Sequence, residues 1–170
     1  MCIVYLADKY GISLADISTG DYFVTEVDTE RKLIDEINKF APSEIICNES
    51  FYMSGVDIED LRHRLKITIY ALETWYFGDE LAETTLLTHF KVKSLEALGL
   101  ADYDCGMIAA GALLKYLYET QKNDLNNISV IHPYSTGKYM IIDSSTRRNL
   151  ELLETMREKQ KRGTLLWVLD

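Results

Sequence analysis

The sequence predicts an α/β protein whose mixed sheet combines an antiparallel meander with parallel strands and is flanked by helices. Three observations in the 170 residues predict this class. Two β-prone arms surround a turn in residues 11–27, and a continuous apolar run precedes them at residues 2–7. Beyond residue 28, patterns of helical period alternate with short apolar runs, and strand–helix–strand units of this kind place their strands in parallel.

The first three strands are predicted from this early part of the chain. The run at residues 2–7 is apolar throughout, which is typical of a central strand covered on both faces. Residues 8–11 form the turn that follows it. Side chains alternate with a period of two in residues 12–15 and 22–25, as in an antiparallel hairpin. Gly20 can take the positive φ that the turn between these arms needs.

A helix and a fourth strand follow the hairpin. Asp28 and Thr29 are both good N-cap residues, and Pro42 ends the helix because the residue before a proline is disfavoured in the α region. The apolar stripe of this helix consists of Leu33, Ile34, Ile37 and Phe40. Residues 44–47 form a short apolar strand, which the strand–helix–strand order adds in parallel.

The next part of the chain is predicted to contain a loop, a helix and a fifth strand. The loop spans residues 49–55, and its aromatic residues Phe51 and Tyr52 are expected to be exposed. Asp57 can cap the helix. Residues 66–71 alternate between apolar and polar side chains, as a half-buried strand does.

Three helical patterns complete the predicted first domain. One helix starts near Asp79, and a short one at residues 95–98 is stopped by Gly99. The longest runs from Asp104 to about Gln121 and is expected to lie against the sheet. Its apolar face consists of Met107, Ala110, Gly111, Leu114, Leu117 and Tyr118. The small side chains in the middle of this face would let a neighbouring backbone approach closely, at a helix-propensity cost of about 1 kcal/mol for Gly111.

A polar, turn-rich stretch at residues 122–127 predicts a division into two domains, residues 1–127 and residues 128–170. The second is predicted to hold extended segments at 130–132 and 139–142 and to be mainly helical after Asp143 or Ser144. It ends in an apolar run at residues 164–170. Because a natural chain seldom ends with so much apolar surface, we expect this chain to be a fragment.

Charge and composition exclude several classes of function. Residues 1–142 carry 12 Lys and Arg against 22 Asp and Glu, and residues 143–170 carry 6 against 5. An acidic field of this size repels phosphate backbones, so this chain alone is not expected to bind nucleic acid strongly. No run approaches the ~18 apolar residues of a membrane span, and no signal peptide is expected at the N-terminus. The three cysteines are odd in number and far apart, which indicates reduced thiols in the core of a cytosolic protein.

Motifs for cofactor or nucleophile chemistry are absent from the sequence. His63, His89 and His132 lie far apart, and neither H-E-x-x-H nor paired cysteines occur, so no metal site is expected. No phosphate-binding loop and no G-x-S-x-G motif occur either. The sequence therefore predicts no catalytic and no cofactor-binding residue of these kinds.

Acidic residues leave one alternative open, a divalent-metal nuclease. The predicted order of a meander, helix, strand, helix and strand is that of the ribonuclease-H-like fold, whose active members bind two metal ions through carboxylates, one of them in the middle of the first strand. That place holds Val4 and Tyr5 here. Asp8 at the strand end, with Glu36 and Glu49, could supply carboxylates nearby. Solvated acidic side chains are the favoured interpretation, since the central carboxylate is missing.

Several stretches carry a resemblance to a known family. Residues 11–25 read GISLADISTGDYFVT and resemble the opening of the connector domain of the MutS family of bacterial DNA mismatch-repair proteins. The helix at residues 101–121 is similar to the long Ala- and Gly-rich helix of that domain. Residues 139–153, YMIIDSSTRRNLELL, and 163–170, GTLLWVLD, resemble the start of the family's lever and core domain.

The resemblance implies a ribonuclease-H-like fold without a nuclease site, in agreement with Val4 and Tyr5. It implies a non-catalytic connector that relays conformational signals between a mismatch-reading domain and the lever and ATPase domains, and that docks the partner protein MutL. By motif position, the docking residues would be Thr88, His89 and Phe90. ATP and magnesium would belong to the parent's ATPase domain, and mismatched DNA would be bound through other domains of a homodimeric, cytoplasmic parent. A purely structural α/β module remains a further interpretation.

Overall fold

The computed structural model describes residues 1–121 and 125–136, and in this part of the chain a mixed sheet has helices on both faces. The strands are β1 (Cys2–Leu6), β2 (Lys9–Asp16), β3 (Asp21–Val27), β4 (Glu44–Cys47), β5 (Thr68–Ala71) and β6 (His132–Pro133). The helices are α1 (Glu30–Phe40), α2 (Glu49–Tyr52), α3 (Ile58–Leu65), α4 (Asp79–Phe90) and α5 (Asp104–Gln121), with 3₁₀ turns at Thr74–Phe77 and Leu95–Leu98.

The sheet has the predicted mixed topology. Its order is β5-β4-β1-β2-β3-β6, in which β1, β2 and β3 pair as an antiparallel meander and β4 and β5 add in parallel beside β1. With β1 at the centre, this is the predicted ribonuclease-H-like arrangement. The first turn differs from the prediction, since Lys9 already belongs to β2. Ala7 and Asp8 both have positive φ, 50° and 59°, so a tight two-residue loop replaces the longer turn expected at residues 8–11.

The hairpin of β2 and β3 is confirmed, and its turn is tightly constrained. The Asp16 carboxylate accepts hydrogen bonds from the Ser18 amide at 2.9 Å and the Ser18 hydroxyl at 2.6 Å. Gly20 has φ of 81°, as predicted. A Cβ at Gly20 would also overlap the carbonyl oxygen of Asn127. This position therefore needs glycine both for its backbone conformation and for the close approach of a distant segment.

Two hydrophobic cores cover the two faces of the sheet. Cys2 and Val4 of β1 face the core formed with α4 and α5, whereas Ile3 faces the core formed with α1 and α3. This alternation confirms that β1 is a central strand buried on both faces.

The three cysteines are unpaired and buried in this interior. Burial raises the pKa of the Cys2 and Cys105 thiols, and it raises the pKa of Cys47 to about 12.

Helix α5 lies between the sheet and α4 at very short range. Every residue from position 105 to position 114 is buried. A Cβ at Gly111 would lie 2.9 Å from the Ala82 carbonyl carbon of α4, and closer still to its Cα and Cβ. On the other side, a Cβ at Gly11 of β2 would lie 2.7 Å from the Gly106 nitrogen. The predicted close approach along the small-residue face is confirmed. Tyr118 was predicted in the apolar face but is 43% exposed, because its ring lies near the end of α4 and its hydroxyl bonds His89.

The ends of α1 follow the sequence signals. The Thr29 hydroxyl accepts a hydrogen bond from the Lys32 amide at 3.3 Å, so Thr29 is the N-cap. Ala41 adopts the left-handed conformation at the C-terminus, immediately before Pro42. Leu33 and Ile37 are fully buried. The predicted stripe thus attaches α1 to the sheet.

Two further local predictions are wrong. Phe51 was expected in an exposed loop, but residues 49–52 form the helical turn α2, which directs Phe51 into the second core with its ring 6.3 Å from that of Tyr10. Its neighbour Tyr52 is 42% exposed, as predicted. Strand β5 begins at Thr68 instead of residue 66, because Lys66 is the left-handed C-cap of α3 with φ of 54°.

Residues 125–136, here called the return segment, run back onto the sheet. Leu125, Ile128 and Ile131 are buried in the core beside α5, and β6 pairs in parallel with β3. The division into domains at residue 127 stays a prediction. The predicted extended segment at 139–142, the helix after Asp143 or Ser144 and the apolar run at 164–170 lie outside the described residues.

Replacing Gly111 with alanine is expected to lower the free energy of unfolding by about 1–3 kcal/mol, because overpacking against Ala82 outweighs the helix-propensity gain of about 1 kcal/mol. Urea denaturation measures the change. Thr84→Ala on the exposed face of α4 is the control, and its effect should stay within about 0.5 kcal/mol. A Gly111→Ala protein as stable as the parent would contradict the close helix contact.

Candidate partner-docking site

The three carboxylates of the nuclease alternative, Asp8, Glu36 and Glu49, do not form a metal site in the structure. Asp8 lies in the β1–β2 turn and accepts a hydrogen bond from the Tyr5 hydroxyl at 2.9 Å. Glu49 is exposed at the start of α2, and Glu36 is buried on α1. Within residues 1–121 and 125–136, no group of three His, Cys, Asp or Glu side chains is arranged to hold a metal ion. The geometry gives the nuclease alternative no support.

Glu36 has a structural role instead. It is 7% exposed, accepts a hydrogen bond from the Tyr134 hydroxyl and lies 3.6 Å from the Lys39 ammonium. Burial raises the pKa of Tyr134, and the hydrogen bond to the Glu36 carboxylate adds to the rise. The phenol therefore stays protonated and keeps its role as donor. The carboxylate binds the return segment to α1.

Asn48 occupies the end of β4, beside the middle of β1. Its side-chain amide donates to the Tyr5 carbonyl at 3.0 Å, and its side-chain oxygen accepts from the Tyr5 amide at 3.0 Å. This pair of bonds continues the β1–β4 pairing through a side chain. An amide can both donate and accept in this way, whereas an ionised carboxylate can only accept. Sequence reasoning missed Asn48; a polar amide directly after a short apolar strand was the available signal.

The predicted docking residues form the last turn of α4. Lys91 ends the helix with φ of 55°, and its amide donates to the Leu87 carbonyl. Thr88 is exposed, whereas His89 and Phe90 are half-buried. A partner approaching this turn would therefore meet Thr88 first.

His89 is held by contacts to two other parts of the chain. Its Nε2 lies 2.7 Å from the Ile128 carbonyl oxygen, and its Nδ1 is hydrogen-bonded to the Tyr118 hydroxyl. Because a carbonyl can only accept, Nε2 carries a proton and donates to Ile128. One imidazole thus joins α4, α5 and the return segment.

Phe90 attaches the same turn to the sheet. Its ring lies 6.3 Å from that of Tyr22 on β3, in an edge arrangement. Tyr22 is fully buried, and its hydroxyl donates to the Ala110 carbonyl at 2.6 Å. Burial raises the pKa of Tyr22, so this donor persists at all ordinary pH values. Thr88 is therefore presented by a turn with fixed contacts on both sides. The 43%-exposed ring of Tyr118 on α5 lies next to His89 of this turn.

The family model that describes MutS domain II matches residues 1–129 of the chain. The chain belongs to the MutS family. It is 58% identical over 170 residues to the DNA mismatch repair protein MutS of Lachnoclostridium phytofermentans, covering 100% of this chain and 18% of that protein. It is 42% identical to the MutS of Ruminiclostridium cellulolyticum, over 95% of this chain and 18% of that protein. Against the MutS of Protochlamydia amoebophila, the identity is 34% over 99% of this chain and 20% of that protein.

These matches confirm the MutS resemblance. The chain spans about a fifth of the length of the curated MutS relatives it matches. In the described part of this MutS-family chain, none of the helices combines the length and hydropathy needed to cross a membrane.

Replacing Asn48 with aspartate is expected to lower the free energy of unfolding at pH 7 by about 1–3 kcal/mol, because the carboxylate cannot donate to the Tyr5 carbonyl and is repelled by it. Facing that oxygen raises the folded pKa of the new carboxyl above its unfolded value of about 3.9. The deficit relative to the parent should therefore shrink as the pH falls from 7 to 4. Chemical denaturation at both pH values checks this.

Asn126→Asp is the matched control for this change, since Asn126 is exposed in the return segment. Its effect should stay within about 0.5 kcal/mol at both pH values. Equal deficits for the two variants would refute the proposed role of the Asn48 amide.

Proposed function

We propose that this chain is the non-catalytic connector of a DNA mismatch-repair MutS protein, which relays conformational changes between a mismatch-reading domain and the lever and ATPase domains. The match of MutS domain II over residues 1–129 carries the proposal. The parent would bind ATP and magnesium in its ATPase domain and mismatched DNA through other domains, and it would act as a cytoplasmic homodimer. In this proposal, the chain contributes no reacting group of its own.

The mechanical part of the proposal is supported by the packing around α5. This helix contacts β1, β2, β3 and α4. Its contacts with β2 and α4 leave no space for a side chain at Gly11 of β2 or at Gly111 of α5. Close-packed interiors are poorly compressible and transmit strain. A displacement applied at α4 would therefore move α5 and the sheet together, as a relay requires.

The charge of the chain is consistent with DNA being held elsewhere in the parent. Residues 1–142 carry 12 basic against 22 acidic side chains, and this excess opposes contact with a phosphate backbone. A surface of this kind suits a partner protein better than a nucleic acid.

We propose that the partner MutL docks on the last turn of α4. Thr88 is exposed there, and Tyr118 adds a partly exposed aromatic ring beside His89. Tyrosine is a residue type enriched in protein interfaces because it combines a large contact area with a hydroxyl group. His89 and Phe90 position this turn through their contacts with Ile128 and Tyr22.

Replacing Thr88 with glutamate should weaken MutL binding at least about tenfold, since a new charge at an interface loses roughly 1.4 kcal/mol or more if it is left unpaired. The probe is the purified MutL of Lachnoclostridium phytofermentans, the organism of the 58% identical relative. Biolayer interferometry with the immobilised 170-residue chain measures the affinity.

The control is Thr68→Glu, which adds the same charge at an exposed residue of β5. It should bind MutL like the parent chain. Equal weakening by both variants would indicate general charge repulsion and would count against the α4 turn as the docking site. A parent chain that does not bind MutL at all would favour a purely structural module.

A further inference from the structure

The return segment is fastened to the domain at three places. The Asn127 side-chain amide donates to the Ile17 carbonyl in the β2–β3 turn. The Ile128 carbonyl accepts from His89 at 2.7 Å. The third fastening is Tyr134, which makes contacts with both its backbone and its side chain.

Tyr134 satisfies two of the few buried polar side chains of the domain. Its carbonyl accepts from the hydroxyl of Thr25, which is fully buried, at 2.7 Å, and its own hydroxyl donates to Glu36. Its backbone amide donates to the Val24 carbonyl at 2.9 Å. The Lys39 ammonium lies 4.7 Å from the centre of its ring. Because β6 itself has two residues, these polar contacts supply much of the fastening of this end of the return segment.

A partner that binds His89 would compete with the contacts that hold the return segment. Both nitrogens of its ring are already engaged, one by Ile128 and one by Tyr118. An imidazole ring has two hydrogen-bonding positions in its plane and no third. A partner that forms a hydrogen bond with His89 must therefore displace either the return segment or Tyr118.

We propose that partner docking at the α4 turn releases the return segment through His89, and that Tyr134 is the catch that opposes this release. The proposal rests on the docking function proposed above. A segment with short strand pairing and few ladder hydrogen bonds is the kind that opens locally at the lowest free energy.

Thermodynamic reciprocity allows the role of Tyr134 to be tested by a substitution outside the α4 turn. If docking loosens the return segment, then loosening the segment must tighten docking by the same factor. Tyr134→Phe removes the hydroxyl that reaches Glu36 and keeps the ring. The ring and hydroxyl of Tyr134 contact residues of β3 and α1, and its carbonyl accepts from Thr25 and Tyr103. These contacts do not involve α4, so the variant leaves the proposed docking residues unchanged.

The first measurement is hydrogen exchange of the 170-residue chain without a partner. In Tyr134→Phe, amides of residues 125–136 should exchange about tenfold faster, which corresponds to the loss of a hydrogen bond to a charged group. The matched control is Tyr76→Phe, which removes a Tyr–Glu119 hydrogen bond outside the return segment. It should leave residues 125–136 unchanged. Glu36→Gln, which keeps an acceptor but removes the charge, should accelerate exchange in the same residues to a smaller extent.

The second measurement is MutL affinity. Tyr134→Phe should bind MutL up to about tenfold more tightly than the parent, Tyr76→Phe should bind equally, and MutL should accelerate exchange of residues 125–136 in the parent chain. Unchanged exchange in Tyr134→Phe would overturn the catch whatever MutL does. Faster exchange with unchanged affinity would overturn the coupling, while a weakening by Thr88→Glu would still support docking. Absence of MutL binding would overturn the docking and the coupling together, and the exchange result would then report on the fastening alone.

Discussion

The close contact of α5 with both of its neighbours is the constraint on which the rest of the structure depends. Gly11 lets the backbone of β2 meet the start of the helix, and Gly111 lets α4 meet its middle. A side chain at either point would force a layer apart. Since the core beside α5 also receives Leu125, Ile128 and Ile131 from the return segment, the position of this helix determines where that segment lies. The last turn of α4, the proposed docking site, contacts both α5 and the return segment and is fixed by the same packing.

The parts of the fold that local chemistry dictates could be predicted from the sequence. The period-two pattern of the β2–β3 hairpin, the cap at Thr29 and the stop before Pro42 are all short-range signals, and all three are found in the structure. The first turn and the start of β5 differ from the prediction in local boundaries, whereas the failures at Phe51 and Tyr118 concern residues whose environment is set by distant elements. Phe51 is buried by Tyr10, and the surface position of Tyr118 depends on His89, 29 residues away.

The contacts that hold the candidate site could not be predicted either, because they join residues far apart in the sequence. The motif resemblance proposes Thr88, His89 and Phe90 as docking residues, but it carries no information on the contacts that hold them. The bond from His89 to Ile128 spans 39 residues, that from Asn48 to Tyr5 spans 43, and that from Tyr134 to Glu36 spans 98. None of these pairs is visible as a spacing or a period. Each becomes evident only when the sheet order brings the two residues together, and the sheet order in turn follows from the predicted meander and parallel strands.

The burial of the three thiols has a practical consequence for work on this protein. Cys2 and Cys47 belong to the two cores, and Cys105 is buried at the start of α5. Burial raises the pKa of all three thiols, which favours the unreactive, protonated form. Maleimide dyes and spin labels, which attack accessible thiolates, should leave all three untouched in the folded chain. A single cysteine introduced at an exposed position would then be labelled selectively, so distances and motions can be followed spectroscopically without first removing the native sulfur atoms.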